Sequence, residues 1–381
     1  MASIAVAGAG FSGAVIAHEL GCAGHAVDVF EPRPHVGGNC HTERDAASGI
    51  LLHRYGPHIF HTDNERVWNY VRRFDEFMPF TNRVKAVVRG QVYSMPVNLH
   101  TINQFFGRCL GPAEARDFLA ALAEPVPGGP RNFEEQALSG MGRPLYEAFF
   151  RGYTQKQWGR APSELPASVL KRLPLRFSYD DNYYASRWQG LPRHGYTHIV
   201  ERLLDAPGVR VHLGRSFTRA MRDDHDHVFY SGPIDAWFGH DEGRLGYRTL
   251  DFQLERHEGD FQGNAVINYC DPEVPWTRIA EHKHFAPWES HQLTVICREY
   301  SRDCGPGDTP YYPIRLATEK ALLARYVERA RAERRVSFIG RLGTYRYLDM
   351  HVTIAEALDW ADRCAVGKIA DLPAFGTDPL A

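Results

Sequence analysis

The sequence predicts an α/β fold in which a discontinuous Rossmann-like domain carries a helical insertion and an antiparallel β-sheet. An apolar strand beginning at Ile4 leads directly into a Gly-x-Gly-x-x-Gly pattern at residues 8–13. Helical spacing dominates between Thr101 and Trp158, whereas strand-like segments recur between Tyr247 and Tyr300. The first 75 residues cannot complete a doubly wound sheet, so we expect later segments to return to it.

The glycine pattern predicts a bound dinucleotide. Gly8 allows a tight turn, Gly10 lets the backbone approach a pyrophosphate, and Gly13 lets the helix pack closely against the strand. A helix-like stretch follows at Ala14–Gly21, and the free N–H groups and dipole at its N-terminus favour an anion, with Phe11 and Ser12 as further expected cofactor contacts.

The residues after the second strand discriminate among dinucleotides. The strand at residues 26–30 ends at Glu31, where an acid binds ribose hydroxyls and disfavours the 2′-phosphate of NADP. A second glycine pair follows within the segment 32–39. Alone, this segment would be better explained as a surface turn. Coupled to the first motif, it resembles flavoproteins of the glutathione-reductase and amine-oxidase type. This resemblance favours FAD over NAD, with these expected contacts: Pro32, Arg33, Gly38 and Asn39.

Hydrophobic periodicity and turn residues predict the remaining elements. In chain order, we expect a hairpin at Val84–Tyr93 turning at Arg89-Gly90, helices between Thr101 and Trp158 broken at 125–130, a helix at Tyr196–Leu204, strands at Val209–Leu213 and His227–Tyr230, strands near Tyr247–Leu254, Asn264–Tyr269 and Leu293–Tyr300, a helix at Lys320–Arg331, a strand at Val336–Ile339 and a closing helix at Met350–Cys364. The turn at 231–233 is typical of a ligand-facing site, and residues 371–381 are expected to form a loose tail.

The order of these elements predicts three structural domains. Residues 1–77, 190–235 and 316–381 are expected to form the cofactor-binding domain. Residues 78–98 and 240–315 are expected to form the antiparallel sheet, and residues 99–189 a helical domain with a mobile substrate-binding loop.

Composition limits the classes of partner. The chain has 381 residues, 44% of them hydrophobic, with 44 basic and 46 acidic side chains and a formal net charge of −2. This balance predicts neither a nucleic-acid partner nor a membrane-surface partner. Apolar runs are too short for a transmembrane helix. A core strand within three residues of Met1 leaves no room for a signal peptide, so we expect a cytoplasmic protein.

Cysteines and histidines do not predict a metal site. The seven cysteines are scattered without a Cys-x-x-Cys pair, which is typical of reduced thiols. The pairs His58/His61 and His282/His284 lack evident further ligands at metal spacing, so we expect no metal.

Several longer segments resemble one family, the bacterial UDP-galactopyranose mutases. The matching segments, which span nearly the whole chain, are residues 55–62, 152–159, 170–177, 181–184, 189–192, 263–269, 277–285, 310–313 and 340–350. The resemblance implies interconversion of UDP-galactopyranose and UDP-galactofuranose by reduced FAD without net oxidation. In the implied mechanism flavin N5 attacks C1 and forms a flavin–sugar adduct, so no protein nucleophile is needed. It also implies an electron donor, which the sequence does not identify, and a possible homo-oligomer of two or more chains.

The same resemblance assigns residues to the UDP-sugar. Arg172 would lie on the mobile loop and Arg278 on the opposite wall, both binding the diphosphate. Arg248 is a weaker candidate, because a salt bridge would explain it equally well. Further phosphate contacts are expected from Tyr183, Tyr311, Tyr312 and Tyr347. The uracil pocket would comprise Phe149, Phe150, Tyr153, Thr154 and Trp158, although an aromatic stripe at this spacing is more often core.

Other positions are assigned to the sugar and the flavin. The resemblance implies that His61 and Asn82 contact the sugar, and His61 is grouped with the arginines as catalytic. His58 and Ile59 would lie beside the flavin. The N-terminus of the closing helix would stabilise negative charge on the reduced flavin, with these further contacts: Arg341, Tyr347, Asp349 and Met350.

Three departures from the family pattern leave the exact sugar open. His194 replaces a usual Gly, residues 314–316 read Ile-Arg-Leu, and Leu348 stands where an aromatic residue is usual. We expect these positions near the phosphate and sugar walls. An N-acetylated, deoxy or pentose nucleotide sugar is therefore an alternative substrate. More remote alternatives are an oxidoreductase of the FAD amine oxidase type and a non-catalytic protein that binds a nucleotide sugar.

Overall fold

The computed structural model describes residues 1–172 and 175–380, apart from the side chains of residues 168, 171, 172, 317 and 318. The described strands are β1 (Ser3–Ala7), β2 (Ala26–Glu31), β3 (Thr42–Arg44), β4 (Leu51–His53), β5 (Phe60–Thr62), β6 (Phe77–Pro79), β7 (Val84–Val88), β8 (Gln91–Met95), β9 (Trp188–Pro192), β10 (Val209–Leu213), β11 (His227–Tyr230), β12 (Tyr247–Glu258), β13 (Val266–Tyr269), β14 (Arg278–Glu281), β15 (Leu293–Asp303), β16 (Tyr312–Pro313) and β17 (Val336–Phe338).

The described α-helices are α1 (Phe11–Cys22), α2 (Glu65–Val71), α3 (Leu99–Phe106), α4 (Pro112–Leu122), α5 (Phe133–Leu145), α6 (Gly152–Trp158), α7 (Tyr196–Leu204), α8 (Ile234–Trp237), α9 (Ala317–Ala332), α10 (Gly340–Gly343) and α11 (Met350–Val366). A π-helical turn, Tyr146–Arg151, joins α5 to α6, and a 3₁₀ helix covers Ala167–Arg172. None of the described helices has the length and apolar character needed to cross a bilayer.

A parallel five-stranded sheet forms the Rossmann-like part, in the order β10-β2-β1-β11-β17. Side chains of β1 alternate between two cores because successive residues of a strand point to opposite faces. Ile4 and Val6 pack in the core that contains residues of α1 and α11, whereas Ala5 and Ala7 pack in the core that contains residues of α8 and α9. Strands from distant parts of the chain therefore complete one sheet, as the sequence predicts.

The larger sheet has seven strands in the order β16-β12-β15-β14-β13-β7-β8. Its neighbours pair antiparallel, except that β13 pairs parallel with β7. The predicted hairpin is confirmed: Arg89 (φ 49°) and Gly90 (φ 75°) form its two-residue turn between β7 and β8. Two positive φ values in a two-residue loop are characteristic of a type I′ turn, which matches the twist of the strands.

A three-stranded sheet, β5-β9-β6, joins the Rossmann-like part to the helical segment. Strand β9 follows the segment that the sequence assigns to a mobile loop, and it pairs antiparallel with both β5 and β6. This small sheet holds His61, on β5, against the returning chain. A two-stranded ladder, β3-β4, lies earlier in the chain.

The expectation of a loose C-terminal tail is wrong for residues 373–379. Phe338 N donates to Ala374 O (2.8 Å) and Ser337 Oγ donates to Pro373 O (2.7 Å), so the tail binds along β17. The ring of Phe375 stacks on Phe338 with centroids 5.6 Å apart. Apolar and backbone contacts therefore hold a segment whose composition resembles a linker. The division into three domains stays a prediction.

Candidate cofactor cleft and active site

A cleft of about 590 Å³ lies at the carboxyl ends of the parallel strands, where open α/β sheets bind ligands. It runs from the end of β2 to the start of α11. The lining residues that the sequence predicts are Gly8, Gly10, Phe11, Ser12, Glu31, Pro32, Arg33, Gly38, Asn39, His58, Arg341 and Met350. The predicted ligand-facing turn, 231–233, lines it as well. Further lining residues, which the sequence did not single out, include Phe30, Phe217, Thr309, Pro310 and Thr353.

The three glycines of the first motif meet different local requirements. Gly8 has φ +107°, a conformation that favours glycine. A Cβ on Gly13 would lie 2.0 Å from Gly8 O, so helix and strand approach too closely for any side chain. A Cβ on Gly10 would meet only Gly38 Cα, at 3.8 Å, so Gly10 leaves space in the cleft rather than between elements.

Glu31 and Arg33 order the end of the cleft that the sequence assigns to the ribose. Glu31 accepts hydrogen bonds from Ala9 N (2.9 Å) and Arg33 N (3.0 Å), which fixes its buried carboxylate and leaves lone pairs for hydroxyl donors. Arg33 donates from Nη2 to Asn39 Oδ1 (2.8 Å), and its guanidinium lies over the Tyr55 ring. Arg33 Nη1 is buried and has no partner among the described residues.

The opposite end of the cleft meets the start of α11. Arg341 donates to Tyr311 O (3.1 Å) and Leu348 O (2.6 Å), so its guanidinium is fixed beside Met350, the first residue of α11. His58 donates from Nδ1 to Gly56 O (2.8 Å). Burial and the charge of Arg341 lower the pKa of His58 to about 4, so this imidazole is neutral at pH 7.

Four residues predicted to bind the cofactor lie outside the described lining of the cleft. Gly13 packs between helix and strand, and Ile59 is 7% exposed in the core. Asp349 is the N-cap position of α11, and Tyr347 stacks on Tyr312 instead.

A row of aromatic rings connects the cleft to α6. The Arg341 guanidinium carbon lies 4.9 Å from the ring centroid of Tyr347 and 5.7 Å from that of Tyr312. Tyr312 and Tyr347 stack with centroids 5.5 Å apart, and Trp158 of α6 lies 6.5 Å from Tyr312. Strand β16, the segment between α10 and α11, and helix α6 thus form one continuous wall. Tyr311, also predicted here, is buried beside Tyr55 and Phe252.

Arg278 begins β14 and is held by a buried carboxylate that the sequence analysis missed. Its Nε and Nη2 both lie 2.8 Å from Glu299 Oε2, on the neighbouring strand β15. Glu299 is 2% exposed, and its Oε1 has no partner in the described structure. The negative charge of Glu299 also raises the pKa of Tyr153 and Tyr312, secondary to burial. Of the predicted phosphate-binding residues, Arg278 therefore contacts Glu299 directly and Tyr312 lies within the influence of its charge.

The predicted uracil pocket divides into two parts. Phe149 is 2% exposed and packs edge-on against Tyr93 (5.1 Å) and against Phe105 (5.4 Å), so it belongs to the core. Phe150 and Thr154 are buried too. Tyr153 and Trp158 are only partly buried, so their rings can face a base. The burial of Phe149 is as expected for the alternative in which the stripe is core, and the uracil pocket stays a prediction.

The predicted sugar contacts lie beside residues that were not predicted. His61 bonds through Nδ1 to Ser186 Oγ (3.1 Å), stacks on Tyr184 with centroids 3.8 Å apart, and lies 5.2 Å from His351. Asn82 accepts from Tyr183 N at its backbone carbonyl, whereas its side-chain Oδ1 is buried without a described partner. An unpaired buried acceptor indicates a missing hydrogen-bond donor, such as a ligand hydroxyl.

The ion pair that would explain Arg248 without a substrate is present. Arg248 is 3% exposed, and its Nη1 lies 2.5 Å from Asp303 Oδ1. Its Nε donates to Gln157 O and Ser301 Oγ, both at 3.1 Å. The side chain of Arg172, which the sequence assigns to catalysis with Arg278 and His61, lies outside the described part of the chain.

The three departures from the family pattern lie in different surroundings. Leu348 lines the cofactor cleft. His194 is exposed and bonds through Nδ1 to Asp75 Oδ1 (2.8 Å), and Arg315 donates to Pro379 O of the tail (2.9 Å). Contacts of His194 and Arg315 therefore serve a surface loop and the tail.

Two groups outside the cleft bring metal-binding kinds of side chain within 4.8 Å of one another: Asp75, His194 and His198, and Asp260, Glu281 and His284. Asp75 already accepts from His194 N, His194 Nδ1 and Glu76 N. In the second group Lys283 Nζ lies 2.5 Å from Asp260 Oδ1, and Glu281 accepts from the backbone N–H groups of residues 261–263. The carboxylates of both groups therefore already have partners within the chain.

Comparison with known proteins identifies close relatives. A family model described as UDP-galactopyranose mutase matches residues 148–347, and one described as an NAD(P)-binding Rossmann-like domain matches residues 6–74. The chain is 54% identical over 375 residues to a protein of Klebsiella pneumoniae named probable UDP-galactopyranose mutase, with 98% of each chain covered. It is 49% identical over 368 residues to an Escherichia coli protein named dTDP-fucopyranose mutase, with 95% of this chain and 98% of that protein covered. A crystal structure of reduced UDP-galactopyranose mutase shares the fold, with a TM-score of 0.74, 15% identity and 96% of each chain covered.

Proposed function

Because this chain belongs to the UDP-galactopyranose mutase family, we propose that it interconverts UDP-galactopyranose and UDP-galactofuranose with reduced FAD and without net oxidation. The observation that carries the proposal is the row formed by Arg341, Tyr347, Tyr312 and Trp158, which runs from the cofactor cleft to α6. A nucleotide sugar along this row would reach the cofactor with its sugar and α6 with its base.

The residues of the cleft fit FAD. Glycines 8 and 10 leave the start of α1 open to a pyrophosphate, and Glu31 keeps lone pairs for ribose hydroxyls. Arg33 Nη1 is a buried donor that needs an acceptor. The distant end of the cleft, at Arg341 and Met350, would hold the flavin ring at the N-terminus of α11, where the helix dipole favours negative charge.

When bound, reduced FAD supplies the nucleophile that displaces UDP from C1 of the sugar. The chain itself must hold the departing diphosphate. Two nitrogens of Arg278 bind Glu299, which leaves Nη1 for a phosphate oxygen. Glu299 thereby orients the guanidinium before the substrate arrives, which is the condition for effective electrostatic stabilisation. Arg172 would approach the same diphosphate from the segment that follows α6.

The sugar would bind between Asn82 and His61. Asn82 Oδ1 can accept a sugar hydroxyl, because it has no described partner. Burial and the nearby His351 lower the pKa of His61, so its imidazole is neutral at pH 7 and can both donate and accept. Stacking on Tyr184 fixes the ring plane.

A different nucleotide sugar is the second candidate substrate. The 49% identity to a protein named dTDP-fucopyranose mutase favours a 6-deoxy sugar on a thymidine nucleotide as that alternative. Thymine and uracil differ by one methyl group, so the same aromatic rings, Tyr153 and Trp158, would serve either base.

A substrate panel tests the proposal. The FAD-loaded chain is reduced with dithionite and incubated with the furanose forms of UDP-galactose, dTDP-fucose and UDP-N-acetylgalactosamine, and the products are separated by chromatography. We expect UDP-galactopyranose from the first with reduced protein and no conversion with oxidised protein. Preferred turnover of dTDP-fucofuranose would establish the second candidate. Equal activity of oxidised protein, or stoichiometric oxygen consumption, would contradict the proposed reaction.

A further inference from the structure

The ammonium group of Lys156 lies among four backbone carbonyl oxygens. Its Nζ donates to Tyr269 O (2.7 Å), Asp271 O (2.9 Å), Val274 O (2.9 Å) and Trp276 O (3.1 Å). A lysine has three N–H donors, so all of them are engaged and shared among these acceptors. Burial lowers the pKa of Lys156 to about 8, so the ammonium form still predominates at pH 7. The segment 269–276, which connects β13 to β14, is thereby folded around one cation.

A second residue on the same side of α6 shows how closely the helix approaches this segment. Gly152 lies four positions before Lys156, so the two share one helix face. A Cβ on Gly152 would lie 2.4 Å from Cys270 O and 3.3 Å from Pro272 Cδ. The backbone of α6 therefore contacts the segment 269–276 directly at Gly152. One turn later, Lys156 binds the same segment through its hydrogen bonds.

The segment that Lys156 binds is followed directly by Thr277 and Arg278. Trp276 is followed by Thr277, whose N and Oγ1 both donate to Glu299 O (2.8 and 3.1 Å). Arg278 comes next and binds the carboxylate of Glu299. The other end of α6 is tied to the same sheet, because Gln157 O accepts from Ser301 Oγ (2.6 Å). Helix α6 is thus connected to Arg278 through the hydrogen bonds of Lys156 to the segment 269–276, which directly precedes Thr277 and Arg278.

We propose that Lys156 is a positioning residue: its four-carbonyl cage fixes helix α6, which carries the base-binding rings, at a set distance from Arg278. This inference rests on the proposed function, because it takes Tyr153 and Trp158 to bind the base and Arg278 the diphosphate. A nucleoside diphosphate would then gain affinity from the fixed spacing of two subsites, as two linked ligands do. Nucleotides with a different spacing between base and second phosphate would bind less well.

The four-carbonyl cage also predicts that the UDP affinity of a Lys156 variant will depend on added cations. Lys156→Ala removes the ammonium group and leaves four carbonyl oxygens facing one space, an arrangement that binds potassium-sized cations in proteins. Ammonium or potassium ions should enter and restore the spacing. Tetramethylammonium is too large to enter and serves as the ionic-strength control. Lys156→Met fills the space with an uncharged chain, so added cations should not restore it.

The experiment measures binding of UDP, uridine and pyrophosphate at pH 7 by calorimetry or competition, with the FAD-loaded protein. In Lys156→Ala we expect UDP affinity to fall about 10- to 100-fold, whereas affinities for uridine and pyrophosphate change less than about threefold. Ammonium chloride should recover most of the UDP affinity in Lys156→Ala and none in Lys156→Met. FAD content should stay at the wild-type level, because Lys156 lies outside the described lining of the cofactor cleft.

A matched control and a second variant keep the test decisive. Lys283 also donates to a carbonyl, Gly259 O, and pairs with Asp260, but it lies beyond the other end of β14; Lys283→Ala should leave UDP affinity unchanged. Gly152→Ala should push α6 from the same segment by collision and cause the same selective loss, even if Lys156→Ala folds poorly.

Equal losses for UDP, uridine and pyrophosphate, or unchanged UDP affinity in both variants, would overturn the positioning role. A wild-type protein that binds UDP but converts no nucleotide sugar would contradict the proposed function while leaving the binding test of Lys156 in force. A wild-type protein that binds none of the three ligands would overturn both.

Discussion

At the scale of single residues, Arg278 and Glu299 form a pair in which each group depends on the other. Glu299 is 2% exposed, and both nitrogens that Arg278 offers it lie 2.8 Å from one carboxylate oxygen. Removal of one partner from a buried pair leaves an uncompensated charge, which costs about 3–5 kcal/mol. Loss of Arg278 should therefore destabilise the fold as well as remove a predicted contact to the diphosphate.

Arg278→Ala should lose both activity and stability. Loss of a charge-assisted phosphate contact should cost roughly 2–4 kcal/mol in the transition state, or about 30- to 1000-fold in single-turnover rate. Arg278→Lys should recover only part of the lost single-turnover rate, because an ammonium group cannot reproduce the planar fork of the guanidinium group. The melting temperature should fall in Arg278→Ala and recover in Arg278→Ala/Glu299→Gln, in which no buried charge is left alone. A double variant with normal turnover would remove Arg278 from the active site. Arg172→Ala is expected to lose rate to the same extent with less change in melting temperature.

A buried histidine far from the active site should make the fold sensitive to acid. His227 on β11 is 0% exposed, bonds through Nε2 to Ser337 Oγ (3.0 Å), and has a buried Nδ1 without a described partner. Burial, with the charge of Arg335, lowers its pKa to about 4. The unfolded state thus binds the proton more readily, so the stability contribution is full above pH 6.5 and is lost as pH falls towards 4.

Between pH 7 and pH 5 we expect His227 to account for roughly 2 kcal/mol of the lost stability. His227→Gln keeps a hydrogen-bonding side chain but does not titrate, so its melting temperature should fall less than that of the wild type over this pH range. Burial also lowers the pKa values of His58 and His282 to about 4, so these residues likewise reduce stability as pH falls. Both are present in the wild type and in His227→Gln, so they do not account for a difference between the two proteins. Parallel pH profiles of the two proteins would show that His227 is not the group responsible.

At the scale of elements, the C-terminal tail acts as an additional edge for β17. Its backbone accepts from Phe338 N and Ser337 Oγ, and Phe375 stacks on Phe338. Truncation after Leu372 should therefore remove both of these hydrogen bonds, the packed ring, and the hydrogen bonds that Arg315 and Arg363 donate to Pro379 O and Gly376 O, a loss of about 3–5 kcal/mol. Truncation after Pro379 removes the exposed Leu380 and the last residue of the chain, and is the matched control. The two melting temperatures should differ clearly; equal values would mean that the tail contacts contribute nothing.

Elements whose own residues require a particular conformation could be predicted from the sequence. Short strands that form only by pairing with segments far away in the chain could not. The glycine motif and the turn at Arg89-Gly90 carry their own conformational requirements, so both are found where expected. Strands β5, β6 and β9 have three to five residues each and exist only because segments far apart in the chain pair with one another. The four residues of β14 carry no alternation long enough to detect.

The candidate site shows the same division. Motif residues of the cleft were predicted because a dinucleotide imposes fixed residue types at fixed spacing. Glu299 could not be predicted, because a single acidic residue within a strand has no distinguishing pattern. Only the pairing of β14 with β15 places it opposite Arg278. Tyr184 and His351 meet His61 from two other segments for the same reason.

At the scale of the whole molecule, the cofactor should hold together segments that the chain alone joins weakly. The cleft is lined by residues near positions 8–12, 30–40, 216–217, 230–233, 307–310 and 340–353. A ligand that binds only the folded state stabilises it by RT ln(1 + [L]/Kd), about 2.7 kcal/mol at a hundredfold excess over Kd. FAD should therefore raise the melting temperature of apoprotein in a concentration-dependent way, and released cofactor should be FAD rather than FMN.

Two glycine variants separate cofactor binding from folding. Gly10→Val adds a side chain in the cleft, where a Cβ meets only Gly38 Cα at 3.8 Å, so the apoprotein should melt near the wild-type temperature but show no shift with FAD. Gly13→Ala places a Cβ 2.0 Å from Gly8 O, so the apoprotein itself should melt lower. Differential scanning fluorimetry with a titration of FAD measures both quantities on each protein. An FAD-dependent shift in Gly10→Val equal to that of the wild type would mean that the pyrophosphate does not bind at the start of α1.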